Sequence, residues 1–537
     1  MSDSTYQQPT QTKENRPAVL FDRTTALAAV RDGGVWDVVI VGGGATGLGA
    51  AVDAASRGLR TLLLERDDFS KGTSSRSTKL IHGGVRYLKQ GRLLMVMKAL
   101  RERDRLLANA PHLVTLNQFL VPCRNYAEIG FYAAGLKMYD LLAAGRGLPS
   151  SRILGRSAII REQEGVNQTS LAGGIQYSDG QFDDARLALV LAQTCVREGG
   201  TVLNYCKVTA LSKGAQMMNV QTTDVETGEE FSIMARSVVN ATGVFADTVR
   251  DMEGKEKDRL IRASQGVHLV LPRTFLPGSA AIMVPKTDDG RVLFCIPWKG
   301  HVLLGTTDTP VESIDSEPQA LEEEITFLIE HAGKYLKKAP SRSDVLSVFV
   351  GLRPLIGDSK GPTKSISREH LIKVSESGMI TIAGGKWTTY RHMAEQVIDQ
   401  VCQQIGASDR RCMTRDMSLY GASNDHDHQS VYGEYGSDRE AVLETIREED
   451  HGQDLLHPDL SYVVGQVTWA MRCEMARTVE DVLARRTRAL FLNAAASKSM
   501  APVVAQIMAK YLNRDSTWIE KQVASFTSLA SHYELQS

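Results

Sequence analysis

Cysteine is scarce and scattered. The seven residues Cys123, Cys195, Cys206, Cys295, Cys402, Cys412 and Cys473 form no Cys-x-x-Cys pair. Odd in number, they favour neither a disulfide framework nor a zinc site, and they fit a reducing, cytosol-facing compartment. Charge of one sign is lacking too: 62 Lys and Arg against 63 Asp and Glu leave a formal net charge of −1 in 537 residues. Nucleic acid is therefore not an expected partner, because surfaces that bind it carry a basic excess. No run approaches the roughly 18 uninterrupted apolar residues of a membrane-spanning helix. The polar start, MSDSTYQQPTQTKENRP, lacks the apolar stretch of a secretory signal, and residues 1–35 read as a flexible tail.

What the chain has is glycine, 45 residues of it, placed where it carries meaning. Val38 to Val41 is a short apolar, β-branched run of the kind buried on both faces of a sheet. Gly42, Gly44 and Gly47 follow as Gly-x-Gly-x-x-Gly, and Leu48, Ala51, Val52 and Ala55 recur at helical spacing up to Gly58. Leu62 to Leu64 supply a second strand, ending at Glu65. The pattern predicts a βαβ unit. Gly42 permits the tight turn, Gly44 lets backbone approach a pyrophosphate at the helix N-terminus, and Gly47 lets helix and strand pack closely. Glu65 can then accept hydrogen bonds from a ribose diol, which disfavours a 2′-phosphate and points to FAD or NAD. Two later segments favour the flavin. SVVNATGVFAD (237–247) brings Ala241, Thr242 and Gly243 to a strand end, and MITIAGGKWTTYRHMAEQVID (379–399) runs strand, Gly384-Gly385, helix. An elongated flavin nucleotide crossing a sheet would touch both, whereas a single NAD domain would not need the second.

With these motifs, GTSSRSTKLIHGGVRYL (72–88), IPWKGHVLLGTTDT (296–309), VGLRPL (350–355) and GGKWTTYR (384–391) resemble the FAD-dependent, quinone-reducing glycerol-3-phosphate dehydrogenases, from about Trp36 to about Leu492. The resemblance implies an α/β protein: a Rossmann-like FAD-binding domain of glutathione-reductase type, as in D-amino-acid-oxidase-type flavoproteins, a β-sheet-based substrate domain and a helical C-terminal domain. The expected division is 36–115 for FAD, completed by about 181–265 and 350–405; 116–180 and 266–349 for substrate; and 406–537 for the C-terminal domain.

The same resemblance implies non-covalent FAD. It sets Thr73, Ser74, Ser75, Ser77 and Thr78 along the pyrophosphate and ribityl chain, His82, Gly83 and Gly84 near the isoalloxazine, and Arg86 and Tyr87 at the substrate. Ala241, Thr242, Gly243, Gly385 and Thr388 join the cofactor site. Arg353 and Arg368 match the family's phosphate-binding arginines, suited to glycerol 3-phosphate because guanidinium pairs with phosphate through charge-assisted hydrogen bonds. Arg353 is expected at a strand end, delivered by Val348 to Leu352 and followed by Pro354. The implied reaction moves a hydride from C2 to flavin N5 and yields dihydroxyacetone phosphate, so a proton acceptor is needed near the 2-hydroxyl. His268 matches the family's active-site histidine. Lys386 would neutralise charge at the flavin or touch the substrate oxygen, and Thr306 and Thr307 complete the pocket. The residue that takes the proton stays open. Lys79 reads equally as an exposed loop lysine and as a functional group.

Beyond Asp409 the patterns turn helical, with Ser437 and Glu440, and again Thr478 and Asp481, in capping-box spacing. Arg485, Arg486 and Arg488 read first as a solvated helix face. Residues 127–149, rich in Ile129, Phe131, Tyr132, Leu136, Met138, Leu141 and Leu142, predict an apolar helix that is either buried between domains or laid on a membrane surface. By resemblance, the expected partners are membrane quinone and the inner, cytoplasmic face of the cell membrane, with room for a homodimer. The rivals are a glycerol-3-phosphate oxidase using O2, an amine or amino-acid oxidase, which the cluster Arg86, Arg353 and Arg368 speaks against, and a non-catalytic flavin-binding scaffold.

Overall fold

The computed structural model describes residues 21–88, 91–143, 148–254, 258–285, 287–288, 290–357, 369–423 and 431–535. Arg368 lies outside them.

Two sheets organise the chain. In the first, Trp36–Val41 pairs in parallel with Thr61–Leu64 on one side and with Glu230–Asn240 on the other, and Thr201–Leu203 and Ile380–Gly384 extend the parallel set. His370–Val374 adds an antiparallel edge, and the hairpin Cys206–Lys213 and Met218–Asp224 joins the Glu230 strand. Val38, Val39 and Ile40 are fully buried. Their neighbours explain why: the helices Ala45–Ser56, Asp184–Arg197 and Tyr390–Ile405 cover one face, and Arg23–Arg31 with the hairpin covers the other. Because the central strands are parallel, their C-terminal ends fall on one edge. That edge collects the Gly42 loop, Glu65, Ala241-Thr242-Gly243 and Gly384-Gly385-Lys386, which are far apart in the chain.

The second sheet has ten strands. Ile261–Pro272 pairs antiparallel with Ser347–Ile356, His301–Gly305 and Thr309–Pro310. The sheet continues through Leu293–Trp298, Ala281–Val284, Val114–Cys123 and Gly173–Phe182 to Leu80–Ile81. Arg353 lies inside Ser347–Ile356, not at a strand end as expected. The strand runs on through Pro354 because, among the described residues, it pairs with Ile261–Pro272 alone, and an edge strand tolerates proline. One face of this sheet packs on Ala494–Leu512, Ser516–Ser531 and their neighbours, the other on Glu322–Tyr335.

In the C-terminal region Thr478 and Asp481 do cap reciprocally: the Asp481 amide donates to Thr478 Oγ1 at 3.2 Å, and the Thr478 amide to Asp481 Oδ2 at 3.0 Å. Ser437 and Glu440 do not, since helix Arg439–Glu448 has Asp438 at its N-cap position without a side-chain cap bond. The arginine run is a further correction. Arg485, Arg486 and Arg488 are 4 %, 3 % and 1 % exposed, not a solvated face. Arg485 and Arg486 reach Asp68 at 2.5 and 2.6 Å, and Arg488 reaches the Ser75 carbonyl at 2.7 Å and Asp184 at 3.1 Å. Glu480 and Asp481 pair locally with Arg485 at 2.7 Å each, but Asp68 and Asp184 lie in the nucleotide-binding half of the chain, out of sight of any local pattern. Among the described residues no helix is long and apolar enough to cross a membrane.

Candidate active site

Three cavities follow one another from the Gly42 loop to the second sheet, and Lys386 lines all three. The first, about 250 Å³, is bounded by Gly42, Gly44, Glu65, Thr73 and Ser74, with Ala241, Thr242, Gly243 and Gly385 opposite. Its floor is the N-terminus of Ala45–Ser56, which begins at Gly44 with the Ala45 amide donating to Ser74 Oγ at 2.9 Å. Gly47 does not line it. A Cβ on Gly47 would stand 1.9 Å from the Gly42 carbonyl oxygen, so this glycine serves the close packing of helix on strand. Glu65 accepts from the amides of Gly43 at 2.6 Å and Asp67 at 2.9 Å. Burial pushes its carboxyl up against the pull of those amides.

The second cavity, about 200 Å³, is lined by Ser77, Thr78, His82, His268, Arg353 and Thr388. The third, about 770 Å³, shares Thr78, His82 and Arg353, adds Gly84, Tyr87 and Thr306, and opens outward past Leu93, Phe131 and Met138. Ser75 and Gly83 line none of the three. Ser75 is buried, with its carbonyl turned to Lys79 and Arg488. The Gly83 amide donates to Tyr139 Oη at 2.7 Å, and Tyr139 in turn donates to Asp179 at 2.7 Å. Arg86 belongs to the short turn Val85–Tyr87.

Arg353 projects from its strand into this space with its guanidinium already oriented. It donates to the carbonyls of Gln265 at 3.1 Å and Thr307 at 2.9 Å, to Thr306 Oγ1 at 3.3 Å, and to Asp308 Oδ1 at 3.2 Å. Glu324 supports the opposite side of that loop by accepting the hydroxyls of Thr307 and Thr309 at 2.7 and 2.6 Å. Sequence reasoning misses Asp308 and Glu324. Asp308 carries a signal in retrospect, an acid three residues beyond Gly305 in GTTD, but Glu324 sits in an ordinary acidic helix start. Lys386 Nζ stands 4.1 Å from the centroid of the Tyr87 ring, a cation–π distance.

His268 is 2 % exposed and stacks on Phe349 with centroids 4.8 Å apart. Burial, with the charges of Lys79 and Arg353, pushes its pKa well below the usual range, so the ring is neutral. Its Nε2 lies 2.8 Å from Thr78 Oγ1. The reading of Lys79 as an exposed loop lysine is overturned: the side chain is fully buried, at 2.6 Å from Asp184 and 2.7 Å from the Ser75 carbonyl. Burial pulls it down to about 7, against the attraction of Asp184. Among the described residues no group of His, Cys, Asp and Glu could hold a metal ion.

A glycine loop, a carboxylate and a helix N-terminus at the C-terminal edge of a parallel sheet, facing a second sheet across a continuous cleft, fit a dinucleotide-dependent oxidoreductase. Comparison with known proteins narrows this. The family model described as FAD dependent oxidoreductase matches residues 37–391, and that described as the C-terminal domain of alpha-glycerophosphate oxidase matches 376–519. A probable mitochondrial glycerol-3-phosphate dehydrogenase of Caenorhabditis elegans is 39% identical over 93% of this chain and 74% of its own length. The human mitochondrial glycerol-3-phosphate dehydrogenase is 37% identical over the same shares. The crystal structure of a Bacillus halodurans glycerol-3-phosphate dehydrogenase complexed with FAD superposes with a TM-score of 0.78 at 28% identity, covering 96% of this chain and 99% of that one. The chain belongs to the FAD-dependent glycerol-3-phosphate dehydrogenase family, and FAD is its cofactor. The residues present fit that group: the helix N-terminus at Gly44 suits a pyrophosphate, Glu65 suits a ribose, and the cleft continues past Lys386 to the second sheet.

Proposed function

We propose that the protein oxidises sn-glycerol 3-phosphate to dihydroxyacetone phosphate and passes the electrons to membrane quinone. The observation that carries this reading is the cleft itself, in which the nucleotide cradle and the oriented guanidinium of Arg353 share one wall residue, Lys386. When bound, FAD supplies the hydride acceptor. Everything else falls to the chain. Arg353, fixed by Asp308 and two carbonyls, binds the phosphate, because a preset guanidinium loses little entropy on forming paired hydrogen bonds. The family resemblance assigns Arg86 and Arg368, whose side chains lie outside the described part of the structure, to phosphate binding as well. Thr306 and Tyr87 shape the space around the glycerol backbone, and Lys386 supplies positive charge where negative charge develops. His268, neutral by burial, takes the proton of the 2-hydroxyl.

The outward opening supports the choice of acceptor. Helix Tyr126–Leu142 buries only Ile129, Leu136 and Tyr139, leaving Phe131, Met138 and Leu141 at 60 %, 46 % and 71 % exposure. Leu93 and Leu94, at 44 % and 75 %, lie in the neighbouring helix. An apolar surface continuous with the mouth of the cleft suits peripheral contact with a membrane and entry of a quinone. Seven free cysteines, five of them buried, agree with the cytoplasmic side of the cell membrane. An anaerobic absorbance titration tests the reading: glycerol 3-phosphate bleaches the flavin band, and a soluble quinone restores it quickly while air does so slowly. Fast recovery in air would favour the oxidase, and absence of bleaching would remove the substrate.

A further inference from the structure

His268 presents a difficulty as a proton acceptor. It is 2 % exposed and, although it shares the small cavity with Arg353, it does not line the large cavity that adds Tyr87 and Thr306. Its Nδ1 is buried without a hydrogen-bond partner among the described residues, so its chemistry leaves through Nε2. The atom on Nε2 is Thr78 Oγ1 at 2.8 Å, and Thr78, half-buried, lines both the small and the large cavity. A hydroxyl can accept one hydrogen bond while donating another, which a carboxylate or an ammonium cannot do.

The chain holds Thr78 from both sides. The Ser77 amide donates to Asp184 Oδ2 at 3.0 Å and its hydroxyl at 2.7 Å, and Lys79 Nζ meets the same oxygen at 2.6 Å. Lys79 is in the left-handed region at φ 61°, a strained conformation for a residue with a side chain. With that turn, Lys79 is buried against Asp184 while Thr78 lines the cleft. Arg488 supplies a further clamp on Asp184 and on the Ser75 carbonyl.

We propose that Thr78 is a catalytic residue, the relay that carries the proton of the substrate's 2-hydroxyl to His268. This rests on His268 as the final acceptor. The O–H bond at C2 breaks and its proton goes to Thr78 Oγ1, while the proton Thr78 already holds passes to His268 Nε2. The hydride at C2 leaves with its electron pair to the flavin, so the substrate loses two hydrogens and His268 ends protonated. A single hydrogen-bonded step of this kind adds no charge to the threonine at either end.

The test measures the rate of flavin reduction by sn-glycerol 3-phosphate per bound FAD, anaerobically, in the holoenzyme and in Thr78→Val, Thr78→Ala, Thr78→Ser, His268→Gln and the double variant Thr78→Val/His268→Gln. FAD content is measured in each. We expect Thr78→Val and His268→Gln each to lose about 100-fold, the double variant to lose no more than either alone, and Thr78→Ser to stay within about 5-fold of the parent, all with FAD retained. Thr78→Ala serves if the valine cannot be accommodated. A Thr78→Val or Thr78→Ala rate close to the parent, with His268→Gln crippled, overturns the relay and leaves His268 in place. So do losses that multiply in the double variant. A His268→Gln rate close to the parent removes His268 as acceptor, and the relay with it.

Discussion

Asp308 Oδ1 accepts from Arg353 at 3.2 Å and also takes the hydroxyl of Ser264, so the guanidinium assigned to the substrate phosphate is held by an acid before any substrate arrives. The acid lowers the net positive charge of the subsite but fixes the plane of the guanidinium. For recognition of the phosphate charge the second effect outweighs the first, because a preset guanidinium loses less entropy on binding. Asp308→Asn should raise the KM for glycerol 3-phosphate about 10-fold with kcat and FAD content nearly unchanged, and Arg353→Ala should raise it more than 100-fold. Steady-state kinetics with a soluble acceptor checks both. An unchanged KM in Arg353→Ala would remove it from the phosphate site.

Gly47 makes a different kind of prediction. A Cβ at this position would stand 1.9 Å from the Gly42 carbonyl oxygen, so even alanine must push the helix Ala45–Ser56 off its strand. The pyrophosphate cradle is the start of that helix, so Gly47→Ala should purify with little FAD and a lowered Tm, whereas Gly44→Ala, where a Cβ would meet only Ser74 Oγ at 3.1 Å, should keep the fold and weaken the cofactor. Absorbance of the purified proteins and thermal melts with added FAD separate the two.

These glycines show which parts of the site a sequence discloses. The loop at Gly42, the acid at Glu65 and the Gly384-Gly385 turn are local requirements of backbone geometry, so residue type and spacing carry them. Arg353 is legible as a strand-borne arginine, though its strand runs past Pro354 because pairing on one side only is a tertiary fact. Lys79, Arg485, Arg486 and Arg488 are not legible. Their partners Asp68 and Asp184 are more than 100 residues away, and a buried ion pair looks in sequence like two ordinary surface charges. Ser75 reads as a cofactor residue because its neighbours form a hydroxyl-rich run, yet the turn buries it away from the cleft.

His268 predicts a pH dependence. Burial first, then the charges of Lys79 and Arg353, lower its folded pKa below the value near 6.5 of an exposed histidine. Between the folded value and about 6.5 the unfolded chain binds a proton that the folded chain does not, so this residue makes stability rise with pH through that window and fall as the pH drops below about 6.5. Melts of His268→Gln between pH 7 and 5.5 should show a shallower loss than the parent. The same shift keeps the base available in mild acid, so flavin reduction should hold its rate down to about pH 6, below the pH at which an ordinary histidine would be half-protonated. A limb centred at 6.5 in the parent and absent in His268→Gln would show a solvent-exposed ring and contradict the burial.

The exposed apolar helix Tyr126–Leu142 lets the proposed electron delivery be tested apart from catalysis. Leu141, 71 % exposed, and Leu94, 75 % exposed on the neighbouring helix, contribute nothing to the core and do not line the cleft, so Leu94→Ser/Leu141→Ser should leave Tm and turnover with a water-soluble acceptor unchanged. If the helix lies on the bilayer, the loss of two large apolar side chains removes a few kcal/mol of transfer free energy, about 1.5–3 kcal/mol for each when fully buried. Flotation with anionic vesicles should then weaken by more than 10-fold, and electron transfer to a long-chain quinone embedded in those vesicles should fall with it. The split is what carries the conclusion. If both acceptors slow together, the helix belongs to the catalytic fold, and if neither slows, the quinone reaches the flavin from another side.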